Sequence, residues 1–136
     1  MITIRLADLI IGFRRIGICV NKFCCSLLVV RLNIMGTFKS FEDIEAWQES
    51  RKLVKEIRKI CKRENVKRDF GFVDQISRSA RSVSANIAEG FESMTTAEFI
   101  QFLSYAKRSA GEVRSHLHDA VDDEYISKQE FDVFAT

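Results

Sequence analysis

Basic side chains recur at helical spacing between Arg51 and Arg68, where nine of them stand against two acidic residues. One ridge, stepping at i, i+4, i+7 and i+11, is formed by Arg51, Lys55, Arg58 and Lys62. Cationic side chains aligned in this way contact successive phosphates and release counterions, which gives an affinity that falls steeply with salt. The pattern predicts electrostatic binding of RNA or DNA, with Lys59 and Arg63 beside the ridge. No aromatic residue is interleaved with these charges, which favours contacts to the backbone over base stacking.

A plainer structural interpretation of these charges stands beside the functional one. The ridge is then a solvated helix face, or it pairs with the acidic stretch 119–124 of another subunit. Arg78 and Arg81 also allow two interpretations. Asp74 stands four residues before Arg78, a spacing that favours a surface ion pair. Alternatively, both arginines extend the basic surface across neighbouring subunits.

Asn86 and Glu89 are polar residues outside the apolar arc of their predicted helix, beside a surface of small side chains. An amide or a carboxylate that becomes buried needs a hydrogen-bond partner. We therefore expect both residues to make assembly contacts between helices or subunits, rather than to take part in catalysis.

Residues with catalytic or metal-binding chemistry form no recognisable motif in this sequence. His116 and His118 stand two positions apart on a predicted helix, so they point about 200° apart and cannot share one ion. There is no Ser/His/Asp grouping, no glycine-rich phosphate loop and no HExxH pattern. We expect a protein that is not an enzyme and that uses neither a metal nor another cofactor.

The elements that position these residues are predicted to be helices. The chain has 136 residues, 46% of them hydrophobic and 29% charged, with no proline, which suits one domain with long uninterrupted helices. A first helix over about 40–64 has an apolar arc of Leu53, Val54, Ile57, Ile60 and Cys61. A second helix over about 72–89 has a stripe of Phe72, Ile76, Ala80, Val83 and Ile87, and Gly90 is placed to end it.

Two further helices are predicted from capping boxes, in which a hydroxyl and a carboxylate three residues apart satisfy each other's backbone N–H groups. Thr95 and Glu98 begin the third helix, with a stripe of Phe99, Leu103, Ala106, Ala110, Val113 and Leu117. Ser127 and Glu130 begin the fourth, which reaches Thr136 after barely two turns. These patterns predict an all-α protein, an antiparallel up-and-down four-helix bundle whose fourth helix is truncated.

The first 34 residues differ in character from the rest of the chain. They hold five basic residues and one acidic residue, whereas the full chain has 21 basic and 19 acidic ones. Their charges interrupt every apolar run well below the roughly 20 residues that span a bilayer. We expect 1–34 to be a non-native or disordered upstream extension, with Met35 as the natural start and 35–136 as the bundle domain. A basic amphipathic surface anchor is the alternative.

Residues 41–136 resemble the small four-helix-bundle proteins encoded in intervening sequences of bacterial 23S ribosomal RNA genes. The resemblance rests on FEDIEAWQESRKLVKEI (41–57), FGFVDQISRSARSVSANIAEGF (70–91) and EFIQFLSYAKRSAGEVRSHL (98–117), and continues through EYISKQEF (124–131). It implies an up-and-down bundle, commonly a ring of five subunits, with no established enzymatic activity. A relative serves as accessory factor in diversity-generating retroelements and is thought to bind nucleic acid. Ser84 stands where family members usually carry a proline.

These observations predict a non-enzymatic, cytoplasmic homo-oligomer, a pentamer by resemblance, that binds RNA or DNA and no membrane. Cys61, alone in the main body, suits a reducing compartment. One alternative is a structural, self-assembling protein without nucleic-acid binding. Another is a truncated copy without a function.

Overall fold

This computed structural model describes residues 38–135. They form four α-helices, preceded by a short 3-10 turn and joined by short connections. The turn is Phe41–Asp43, and the helices are α1 (Glu45–Cys61), α2 (Phe70–Phe91), α3 (Thr96–Asp122) and α4 (Lys128–Ala135). The fold is all-α and forms a four-helix bundle, as the sequence patterns predict. The expectations for 1–34 and for the start at Met35 lie outside the described residues.

The first predicted helix begins later than expected because its start is a separate turn. Ser40 and Asp43 form a capping box that belongs to the 3-10 turn and not to α1. Ile44 follows with an extended backbone (φ −77°, ψ 117°) and is fully buried, so the chain bends there to insert this side chain into the core. The helix proper runs from Glu45 to Cys61, and not over 40–64.

The second helix is longer than predicted at both ends. Asp69 is its N-cap, and one carboxylate oxygen accepts a hydrogen bond from the backbone N–H of Phe72 at 3.0 Å. The helix continues without interruption through Ser84 to Phe91. Gly90 therefore lies inside the helix, and the expectation that it ends the helix as a C-terminal glycine is wrong.

Gly90 is required by the close approach of α3 and not by a turn. A Cβ atom at this position would lie 2.7 Å from Cβ of Phe102 and 3.0 Å from Cδ2 of Phe99. Real Cβ atoms do not approach side chains this closely, and the Cβ of Phe102 cannot rotate away. The missing side chain allows the C-terminal turn of α2 to pack directly on the first turns of α3.

Small polar side chains continue this contact along α2 and α3. The hydroxyl of Ser79 donates to Oε2 of Glu112 at 3.2 Å, and the hydroxyl of Ser109 donates to that of Ser82 at 3.0 Å. Residue numbers rise along α2 as they fall along α3, so these two helices run antiparallel. Ser79 and Ser109 are buried, and these hydrogen bonds offset the cost of burying their hydroxyls.

The apolar stripes predicted from helical spacing do form the core. All six stripe residues of α3 are buried, as are Ile76, Ala80, Val83 and Ile87 of α2. In α1 the predicted stripe residues Leu53, Val54, Ile57 and Ile60 are buried, together with Ala46 and Ser50. In α4 Phe131 and Phe134 are buried. Cys61 and Phe72 are only half-buried. No helix between residues 38 and 135 is long and apolar enough to cross a membrane.

The C-terminus of α3 closes on a residue in the left-handed conformation. Glu124 has φ 57°, the one positive φ among the described non-glycine residues. The N–H of Tyr125 bonds to the carbonyl of Ala120 at 2.8 Å, and that of Glu124 bonds to the carbonyl of Val121 at 3.1 Å. This is the Schellman arrangement, which normally places glycine where Glu124 stands.

Gly90 and Gly111 both lie within helices, and we expect alanine at these two positions to change the stability of the protein in opposite directions. Gly90→Ala should lower the free energy of unfolding by about 1–2 kcal/mol, because the overpacking penalty exceeds the gain in helix propensity. Gly111→Ala is the matched control, since nothing lies within 4 Å of its would-be Cβ. That variant should be more stable by about 0.5–1 kcal/mol. Urea unfolding measures both, and a Gly90→Ala protein as stable as the wild type would contradict the close approach.

Replacement of Glu124 by glycine should stabilise the protein. Glycine adopts positive φ without the steric cost of a side chain, so we expect Glu124→Gly to raise the free energy of unfolding by about 1 kcal/mol. Glu92→Gly is the control, because it removes the same charge at the end of α2, where φ is −76°. It should destabilise by up to about 1 kcal/mol. Equal effects of the two variants in thermal unfolding would refute the conformational explanation.

Candidate nucleic-acid interface

The basic ridge lies on the solvent side of α1, opposite its buried arc. All four members, Arg51, Lys55, Arg58 and Lys62, are exposed. Among residues 38–134 no carboxylate is ion-paired with any of them. Arg51 lies over the ring of Trp47, with its guanidinium carbon 5.7 Å from the ring centroid. The four charges are therefore presented to solvent and available to an anionic partner.

Lys59 and Arg63, the neighbours of the ridge, lie in different environments. Lys59 pairs with Glu56 at 2.7 Å, and 70% of its side chain is exposed. Such a surface pair is weak and leaves the ammonium group accessible. Arg63 is instead held within the molecule. Its guanidinium donates to both carboxylate oxygens of Glu130, at 2.5 and 3.4 Å, and to the carbonyl of Tyr125 at 3.1 Å.

The Arg63–Glu130 pair ties the end of α1 to the start of α4. Glu130 also accepts from the N–H of Ser127 at 2.9 Å, and its own N–H donates to the Ser127 hydroxyl at 3.2 Å, which completes the predicted capping box. The hydrogen bonds from Arg63, followed by that from the Ser127 backbone, lower the pKa of Glu130 to about 2. Arg63 is thus a structural residue in the fold, with its charge compensated.

A groove between α1 and α2 brings residues from the two helices together. It has a volume of about 430 Å³. Its lining consists of Val54, Ile57, Arg58, Phe70, Val73, Asp74, Ser77, Ala80 and Arg81. Arg58 from the ridge and Arg81 from α2 thus share one groove. Tertiary packing extends the basic surface onto the second helix within one subunit.

The arginines of α2 differ in their partners. Arg78 donates from Nε to Oδ1 of Asp74 at 3.0 Å, which confirms the surface ion pair expected from their spacing. Arg81 donates from Nε to the carbonyl of Ser77 at 3.1 Å. This bond holds its stem along the helix while the side chain stays exposed. Arg81 is therefore the stronger candidate for an external anion.

Phe70 is a residue of this surface that sequence reasoning missed. It is the first residue of α2, lines the groove and is 79% exposed. Its neighbour Asp69 accepts hydrogen bonds from the Phe72 N–H and the Tyr125 hydroxyl, each at 3.0 Å, which lower the pKa of Asp69. The sequence held one signal for this role. Phe70 is an aromatic residue two positions before the predicted start of the helix, and it does not belong to the apolar stripe.

Asn86 and Glu89, the predicted assembly residues, lie on α2 away from this groove. The Asn86 amide donates to the carbonyl of Ser82 at 2.7 Å and to its hydroxyl at 2.9 Å, both within α2. Ser82 in turn accepts from Ser109 of α3, so the amide joins a network that spans two helices. Glu89 is exposed. Their contribution to contacts between subunits stays a prediction.

Histidine and cysteine side chains have local packing roles. Nδ1 of His116 lies 3.4 Å from a carboxylate oxygen of Asp119, and the ring of His118 lies 4.3 Å from that of Phe131. Cys61 contacts the Ser77 hydroxyl at 3.7 Å, and burial raises its thiol pKa. In the described part of the chain, no group of three or more His, Cys, Asp or Glu residues is placed to hold a metal ion.

The fold and this surface define a small helical-bundle protein with an exposed basic ridge beside a groove with an apolar floor, and within residues 38–134 the ridge has no ion-pair partner. Residues 42–136 match the family model for the 23S rRNA-intervening sequence protein, and the chain belongs to that family. This confirms the resemblance carried by the motifs in the three main helices. No curated protein and no solved structure matches the chain.

The Arg63–Glu130 pair predicts a pH dependence of stability. The pKa of Glu130 is near 2 in the folded protein against an ordinary 4.5. The pair therefore stabilises the fold above about pH 4.5 and loses its effect as the pH falls towards 2. Glu130→Gln should be less stable at neutral pH and should show a shallower loss of stability through this acidic range. Glutamine keeps the capping box, so the variant isolates the charge.

Thermal melts at several pH values between neutrality and about pH 2 measure this dependence. Glu64→Gln is the control, because its pair with Lys67 lies on the surface with 85% of the Glu64 side chain exposed. It should follow the wild type. A Glu130→Gln protein with the full wild-type acid dependence would show that the pair does not cause it.

Proposed function

We propose that this protein binds RNA or DNA electrostatically through the exposed surface formed by the α1 ridge and Arg81, acting without catalysis as a cytoplasmic homo-oligomer. The observation that carries the proposal is the combination of alignment and exposure. Four cations on one helix face have no ion-pair partner among residues 38–134. Membership of a family named for an rRNA intervening sequence is consistent with a nucleic-acid context.

The mechanism follows from the properties of polyanions. Each phosphate neutralised by lysine or arginine releases a condensed counterion, and this release drives binding. Arg51, Lys55 and Arg58 follow one face of α1, and Lys62, the C-cap residue directly after it, keeps a right-handed helical backbone and extends the row. The four cations therefore fit a nucleic-acid backbone that runs along the helix. Such contacts position a nucleic acid without reading its sequence. We expect broad sequence tolerance and strong salt dependence.

A second candidate is self-assembly through complementary charge. The end of α3 carries an exposed acidic stretch that includes Asp122, Asp123 and Glu124. The ring of His116 lies near the carboxylate of Asp119, with Nδ1 and a carboxylate oxygen 3.4 Å apart. A second copy of the chain would allow this stretch to pair with the ridge, and the ridge charges would then serve subunit contacts.

A charge-matched pair of triple variants tests the nucleic-acid proposal. The ridge variant combines Lys55→Gln, Arg58→Gln and Lys62→Gln. The control variant combines Lys107→Gln, Arg108→Gln and Arg114→Gln, which removes the same charge from exposed positions of α3. Fluorescence anisotropy with labelled RNA from about 50 to 200 mM salt should give a salt slope lower by about 2–3 for the ridge variant only.

The other outcomes of this experiment are equally informative. Equal losses in both variants would mean that binding follows total charge and not the ridge. No RNA or DNA binding by the wild type, together with assembly that light scattering shows to be lost in the ridge variant, would overturn the proposal in favour of charge-mediated self-assembly.

A further inference from the structure

The groove between α1 and α2 has an apolar floor, which contacts to the phosphates of a nucleic acid would leave unused. Its floor includes the apolar side chains of Val54, Ile57 and Ala80, each at most 3% exposed. Its volume of about 430 Å³ falls in the range of pockets that hold small organic groups. A phosphate gains nothing from an apolar floor, whereas a planar heterocycle does.

Phe70 adds an aromatic face to this groove. It is the most exposed aromatic side chain in the described part of the chain, at 79%, whereas the phenylalanines of α4 are buried. Among the ring contacts of residues 38–134, none involves Phe70. One ring face is therefore available to stack on a ligand.

The backbone that carries Phe70 is held in place by polar contacts behind it. The Asp69 carboxylate accepts from the Phe72 N–H and from the Tyr125 hydroxyl, which comes from the segment after α3. The rings of Phe72 and Tyr125 pack 5.3 Å apart. A ligand that stacks on Phe70 therefore has to order only the Phe70 side chain and not the backbone that carries it.

Charge at the groove indicates an anionic ligand. Arg58 and Arg81 both line it, and the one carboxylate in the lining, Asp74, is paired with Arg78. An apolar floor, an aromatic face and two arginines together match a nucleobase with its flanking phosphates. Stacking on aromatic side chains and contacts to arginine are the usual means of binding unpaired strands.

We infer that this groove accepts an unpaired nucleobase, stacked against Phe70, with the adjoining phosphates on Arg58 and Arg81. The inference rests on the proposed function and assigns to that surface a contribution specific to single strands. A duplex keeps its bases stacked and paired, so it reaches the basic ridge but presents no base face to the groove.

The test compares one single-stranded and one duplex probe. The probes are a labelled oligouridylate of about 16 nucleotides and an RNA duplex of the same length, titrated by fluorescence anisotropy at one low salt concentration. Phe70→Ala should bind the oligouridylate about tenfold more weakly, which corresponds to about 1.4 kcal/mol, and bind the duplex within about twofold of the wild type. Phe70→Trp should retain single-strand affinity.

Tyr105→Ala is the matched control, because it removes an exposed aromatic side chain from α3, outside the groove. It should leave both affinities unchanged. A second measurement uses the wild-type protein alone. A single strand containing 2-aminopurine should lose fluorescence on binding as that base stacks, and absence of quenching would contradict the inference.

The outcomes separate this inference from the proposed function. If Phe70→Ala weakens neither probe, or weakens both equally, the base-binding groove is wrong and the electrostatic surface stands. If the wild type binds neither probe, both are wrong. A selective loss for the single strand, restored by Phe70→Trp, supports the groove.

Discussion

The close contact between α2 and α3 at Gly90 is the constraint on which the remaining packing depends. Because Gly90 has no Cβ, α2 and α3 can approach each other closely at this point. A Cβ atom at residue 90 would lie 2.7 Å from Cβ of Phe102, so any side chain there would block the approach. Farther along the interface, the paired serines Ser82 and Ser109 keep the two helices near each other without leaving buried hydroxyls unsatisfied. This contact aligns the two long apolar stripes and leaves the other side of α2 to α1.

Polar ties at the helix ends complete the arrangement and decide which charges remain exposed. Glu130 engages Arg63, and Asp69 engages Tyr125, so the segments after α1 and after α3 are joined by side chains. These contacts pair the charge of Arg63 within the molecule, while 37% of its side chain stays exposed. The ridge on α1 has no such partners in the described part of the chain, and its charge therefore faces solvent. Neighbouring basic residues thus differ in role: Arg63 forms an ion pair within the fold, whereas Lys62 and the rest of the ridge face solvent.

Helix packing combines residues of α1 and α2 into one surface, a basic ridge beside a groove. Family membership places the chain among the 23S rRNA-intervening sequence proteins. The ridge by itself suits a polyanion of any kind, whereas the groove beside it adds an apolar floor and the Phe70 ring. Charge supplies attraction that salt screens, and stacking supplies a contact that depends on an accessible base.

Local sequence patterns were enough to predict the helices and the faces that they bury. Helical spacing identified the stripes of α2 and α3, and hydroxyl–carboxylate pairs marked the starts of α3 and α4, because both are local properties of residues within one or two turns. Helix packing, in contrast, accounts for the contact at Gly90, the pairing of Arg63 with Glu130, and the placement of Phe70 beside the arginines. These contacts depend on which helices lie next to each other and on how closely they pack. No local sequence pattern links residues as far apart as 63 and 130, so their pairing could not be predicted.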